Sequence, residues 1–184
     1  VARSSCFSIN ESPIACIHIG DLLRAYEVED EPSVPYPQAN DLDKVVDLVS
    51  LVDSGLSTKS EIADFFEFDE RQGDYYANAG IYLGLLDRHG GHFVLTDLGR
   101  QFMQIRSIPD KSRLLIEQML VRPTFRSIFE LLLERDLQLG AISNEEIAMA
   151  IGAFTNLTGS TPLRRASTVR SWLGWILGNS QIVG

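Results

Sequence analysis

The chain has 184 residues, 45% of them hydrophobic and 22% charged, with a net charge of −9. That length suits one large domain or two small ones around a true apolar core. It contains no apolar run near the roughly 20 residues needed to span a membrane, and the acid excess excludes a protein that is basic all over.

The acids are unevenly spread. Residues 1–36 carry −4, residues 37–107 carry −6 and residues 108–184 carry +1. No acid follows Glu146, while Arg164, Arg165 and Arg170 all do, so the C-terminal part has a local positive field. Cys6 and Cys16 are too few for a zinc site, and a disulfide framework is not implied. They read as small buried residues of a cytoplasmic protein, with a disulfide across a hairpin as the alternative. No basic segment leads into an apolar run at the start, so no signal peptide is expected. The first residue, Val1, suggests a processed protein or a segment of a longer one.

In chain order, Cys6–Ile9 and Ile14–Ile19 read as short strands joined by a turn at Asn10–Pro13. Asp21–Tyr26 suits a helical turn. An acidic stretch with Pro32, Pro35 and Pro37 then reads as an extended linker, because proline fixes φ and lacks a donor. From Asp41, Leu42, Val45, Val46, Val49 and Val52 share one helical face. Thr58 and Glu61 have capping-box spacing before a second helix that would bury Ile62, Phe65 and Phe66. A third helix runs from about Asp69 to Leu85. Its glycines cost on the order of 1 kcal/mol each in helix propensity and point to close packing. Leu86–Arg88 and His92–Leu95 flank His89-Gly90-Gly91, which reads as a β-hairpin. Thr96 then caps a helix lined by Leu98, Phe102 and Ile105. The order helix, helix, helix, hairpin, helix suits a three-helix core with a hairpin wing.

Leu56-Ser-Thr-Lys-Ser-Glu-Ile-Ala-Asp-Phe-Phe, Tyr75-Tyr-Ala-Asn-Ala-Gly-Ile-Tyr-Leu-Gly-Leu-Leu and Phe93-Val-Leu-Thr-Asp-Leu-Gly-Arg-Gln-Phe resemble a winged-helix DNA-binding domain. The likeness covers residues 40–106. The last stretch is similar to the strand-to-helix junction that follows such wings. More loosely, this unit together with Arg164-Arg-Ala-Ser-Thr-Val-Arg-Ser-Trp-Leu-Gly-Trp-Ile looks like modules that accompany restriction-modification nucleases. The resemblance implies double-stranded DNA as partner, with a nuclease domain or subunit nearby.

Beyond it, Asp110–Val121, Thr124–Arg135 behind Pro123, a helix capped by Ser143, and one opened by Thr161 and Pro162 repeat the helical pattern. Gln181 starts a strand. The expectation is a mainly α chain with small β-hairpin wings. Residues 1–36 form a hairpin and linker, 37–107 a winged helix, and 108–184 a second winged-helix unit with a truncated wing.

On the last helix, Leu163, Ala166, Val169, Leu173, Ile176 and Leu177 cluster on one side. The opposite side carries Arg164, Ser167, Thr168 and Ser171, with Arg165 and Arg170 flanking. Arginines and hydroxyls are what phosphates and base edges bond. Trp172 and Trp175 read as packing residues. On the helix from Asp69, Arg71, Asp74, Tyr75, Asn78 and Tyr82 form the exposed face, and Arg88 with His89 and His92 marks the wing tip. Arg71, Tyr75, Asn78 and Arg88 are secondary DNA contacts, although Asp69, Glu70 and Asp74 oppose phosphate. No phosphate loop, nucleophile elbow or metal-ligand spacing is present, so neither catalysis nor a cofactor or metal is expected. The alternative is a protein-interaction module or homodimer that keeps the fold without binding DNA.

Overall fold

The computed structural model describes residues 14–67 and 69–183. The strand expected at Cys6–Ile9 and its turn lie outside them. The chain is mainly helical with short strands.

Ala15–His18 forms β1, followed directly by α1, Ile19–Ala25. After an irregular stretch come α2 (Leu42–Asp53), α3 (Lys59–Phe66), α4 (Glu70–Tyr82), β2 (Leu86–His89), β3 (His92–Leu95) and α5 (Asp97–Gln104). Local chemistry sets these boundaries. The side chains of Asp41, Asp69 and Thr96 accept backbone N–H bonds at the starts of α2, α4 and α5, and Thr58 with Glu61 completes a capping box on α3. The β2–β3 hairpin pairs His89 with His92, leaving Gly90 and Gly91 as a two-residue turn at φ +56° and +87°. Positive φ at both positions is what a tight twisted hairpin requires. Ser57 accepts a backbone bond from Phe93 at 2.6 Å, adding one rung beside the hairpin. Of the glycines expected in the third helix, Gly80 and Gly73 mark close packing, whereas Gly84 follows the helix at φ +74° in ordinary contact; Gly99 of α5 is a further close approach. A Cβ on Gly80 would lie 2.7 Å from Leu86 Cδ1, and one on Gly99 would lie 2.1 Å from the Leu85 carbonyl oxygen.

The second half contains α6 (Ile108–Leu120), α7 (Pro123–Glu134), α8 (Asn144–Phe154), α9 (Thr161–Asn179) and β4 (Ser180–Val183). Ser160, not Thr161, is the residue preceding α9. The strand expected to open a second wing is present as β4, but its partner is β1, in parallel register from Ala15↔Ser180 to His18↔Val183. Among the described residues no hairpin follows α9.

The stretch read as a linker is a strap. Glu29 donates its N–H to the Val121 carbonyl (2.8 Å), and its carboxylate meets Arg122 at 2.6 Å. Glu31 accepts the Tyr82 hydroxyl (2.8 Å) and the Thr124 N–H (3.0 Å), so it caps α7, whose own N-cap residue Arg122 makes no side-chain cap bond. Tyr36 and Ala39 are buried, and the Ala39 carbonyl accepts the Trp172 indole N–H. Tyr36, Tyr82, Phe125 and Trp172 form an aromatic cluster, with Phe125 and Trp172 stacked at 5.5 Å. Strap, α4, α7 and α9 each contribute one ring, and one continuous core runs from Ala15 to Ile176.

Phe65, expected in the core, lies outside it, as does Phe154 on α8. Phe65 is 58% exposed and Phe154 44% exposed. Leu163, assigned to the apolar side of α9, is 47% exposed as well.

Candidate nucleic-acid interface

The N-terminal halves of α9 and α4 supply the site. Arg164 and Arg165 follow Pro162 at the start of α9, where Ser160 provides no side-chain cap. Pro162 has no N–H and Thr161 donates to the Thr158 carbonyl (3.3 Å), so what this first turn offers is the positive end of the helix dipole without a side-chain cap. Arg164 is exposed, and among the described residues its guanidinium bonds the Thr161 hydroxyl alone, at 3.3 Å. Arg165 is half-buried. Burial holds its guanidinium below the ordinary arginine value, Arg164 pushes the same way, and the Tyr75 hydroxyl opposes them. Tyr75 of α4 thus lies near enough to Arg165 of α9 to act on its charge. It also accepts a hydrogen bond from Arg71 Nε, and the Arg71 guanidinium lies 5.5 Å from the Tyr75 ring centroid. Arg71, Tyr75, Arg164 and Arg165 thus form one cluster drawn from both halves of the chain. Among the described residues, none of its three arginines makes an ion pair with a carboxylate.

The exposed Ser167 and Ser171 continue along α9, with the Ser167 hydroxyl donating weakly to the Arg164 carbonyl at 3.4 Å.

Other predicted contacts belong to the interior. Thr168 is 2% exposed, and its hydroxyl donates to Asn40 Oδ1 at 2.7 Å. Arg170 donates to Asn144 Oδ1 (2.8 Å) and to the carbonyls of Leu139 (3.0 Å) and Ile142 (2.5 Å). Its guanidinium is committed to the segment that leads into α8 and to the first residue of that helix. Both corrections have one cause: α9 is covered on more than one side, so its presumed outer flank is packed. Tyr82 leaves the exposed face of α4 entirely, at 1% exposure.

Asn78 is also withdrawn. It is 8% exposed, donates to Asp74 and accepts from Arg88. Arg88 pairs with Asp74 at 2.5 Å and lies over the Phe93 ring. Lys59 pairs with Glu70 at 3.0 Å. The wing side of α4 therefore neutralises itself, and the free positive charge gathers on the α9 side. At the wing, His89 meets Asp87 at 3.1 Å, and His92 Nδ1 shares a 2.9 Å hydrogen bond with Ser57.

The nearness of Tyr75 to Arg165 had no signal in the sequence, because it depends on how distant parts of the chain are brought together. The exposure of Met149 and Phe154 had one. The run Met149-Ala-Ile-Gly-Ala-Phe is apolar on every face, more than one buried stripe can absorb.

No curated protein matches the chain. No solved structure matches it either. A family model described as "Domain of unknown function (DUF7226)" matches residues 44–181, from the first turn of α2 into β4. That match takes in α4, α9 and every residue of the arginine cluster, and covers most of the chain: the protein belongs to the DUF7226 family.

Proposed function

We propose that this chain is a DNA-recognition or DNA-docking module without catalysis of its own, built on winged-helix units. The observation that carries the reading is the cluster of Arg71, Arg164 and Arg165 around Tyr75, with no carboxylate partner among the described residues. Adjacent guanidinium groups repel, and partial burial of Arg165 adds to the cost. A phosphate between them relieves both, and the uncapped start of α9 adds its dipole to the same pole. Phosphate contacts hold a duplex in register, and Ser167 and Ser171 are then placed to follow it along α9. The helix order from α2 to α5 with its two-residue hairpin supports the winged-helix reading of residues 37–107. In residues 108–184, α7, α8 and α9 form the helical part of a second such unit whose strand closes on β1 instead of opening a wing. A restriction-modification factor, with cleavage in another domain or subunit, is the setting that fits the sequence resemblance. Among the described residues no helix is long and apolar enough to cross a membrane, and a cytoplasmic setting fits DNA as partner.

The test is fluorescence anisotropy on a labelled duplex across a salt series. Three phosphate contacts give a slope of log affinity against log salt of about −3. Replacing Arg164 and Arg165 together with Ala should bring it to about −1. Absence of duplex binding at low salt sinks the reading.

A second reading, a protein-interaction or dimerisation module that does not bind DNA, draws on the self-neutralised wing side of α4. Light scattering separates the two. A dimer whose mass is unchanged by duplex favours the second.

A further inference from the structure

A shallow groove of about 570 Å³ runs between α7 and α8, away from the residues used in the reading above. Its floor is apolar: Leu131 from α7, and Met149, Ala150, Ala153 and Phe154 from α8. Met149 is 74% exposed and Phe154 44% exposed, so two large side chains stand in water beside small ones. A Cβ on the neighbouring Gly152 would meet nothing within 4 Å, which leaves room for another backbone to approach. Large unbranched or aromatic anchors beside small residues form a surface into which a helix can settle.

The rim decides what settles there. Glu130, Glu134 and Glu146 line the groove. Glu130 and Glu146 each have one arginine partner, Arg126 and Arg135, and among the described residues Glu134 makes no ion pair. Glu145, next to Glu146 on α8, is exposed. A second copy docking across a twofold axis would bring Glu134 and Glu145, neither in an ion pair among the described residues, toward their own copies, in a chain already at −9. A helix with an apolar stripe and basic flanks meets no such penalty. We infer that the α7–α8 groove is a docking site for a basic amphipathic helix of a partner protein.

The probe is a fluorescein-labelled helical peptide with leucines at i, i+3, i+4 and i+7 and lysines elsewhere. Its control keeps the leucines and replaces the lysines with glutamates. The lysine peptide should bind the full chain, and the glutamate peptide at least about tenfold more weakly. Met149→Asp separates the groove from general attraction. It adds a negative charge at an exposed position, so binding by charge alone tightens, whereas seating on Met149 weakens by about tenfold or more. Unchanged or tighter binding to Met149→Asp overturns the assignment. So does a dimer of the free chain that Met149→Asp dissociates, since that gives the groove to a second copy.

Discussion

Arg165 and Arg170 lie little more than a turn apart on α9 and do opposite work. Arg170 directs its guanidinium into one amide oxygen and two carbonyls, while Arg165 faces another arginine and a tyrosine. Truncating Arg170 removes two bonds to partly buried carbonyls and one to an exposed amide, so Arg170→Ala should cost about 1 to 3 kcal/mol, read as a lower Tm. Lysine cannot reproduce a fork of three donors, so Arg170→Lys should recover only a fraction of that loss. Replacing Arg164 and Arg165 together with Ala should leave stability within about 0.5 kcal/mol, because among the described residues neither pairs with a carboxylate. An Arg170→Ala protein as stable as the parent would return that side chain to the list of DNA contacts. Helical periodicity does not distinguish these arginines. Steps of 100° order residues around an axis, but the number of faces that tertiary packing covers is set by neighbours distant in sequence. Thr168 and Leu163 exchanged their expected environments for that reason.

Helix starts were the most readable features at the next scale, because a cap is a contact within a few residues. Thr58 with Glu61 was visible as a box, and Ser143 with Glu146 closes a second one on α8. Each carboxylate is held below the ordinary glutamate value of 4.5 by backbone N–H groups first: those of Thr58 and Ser57 for Glu61, and that of Ser143 for Glu146. A depressed value in the folded state means that the charged carboxylate is favoured by folding. This contribution is complete above the unfolded glutamate's value and is lost as pH falls through the lower folded one. Thermal melts from neutral pH into the acid range should therefore fall less steeply for a Glu61→Gln, Glu146→Gln double variant than for the parent. Parallel curves would remove the boxes from the acid response. The strap was not readable in this way. Its prolines announce an extended backbone, but Glu31 finds Tyr82 and Thr124 far along the chain. The groove stayed hidden for a similar reason: an apolar run on α8 does not say which of its faces the fold leaves open.

At the scale of the molecule, the strap, the β1–β4 pairing and the four-ring cluster all cross between the two halves. A helical unit that shares its central aromatics with its neighbour cannot lose them without exposing the neighbour's core. Unfolding should therefore be a single event. Two probes can check this, because the two tryptophans both lie on α9 while helices extend through the whole chain. Tryptophan fluorescence and far-UV circular dichroism should trace coincident transitions. Glu31→Ala should move both curves together. It removes the acceptor for the Tyr82 hydroxyl and the α7 cap, at about 2 to 3 kcal/mol, which corresponds to a Tm lower by about 5 to 10 °C for a chain of this size. If the dichroism melted in two steps and the fluorescence followed only one, residues 37–107 would be a separately folding unit. The arginine cluster would then join two bodies that can part, and its affinity for a duplex would depend on holding them together.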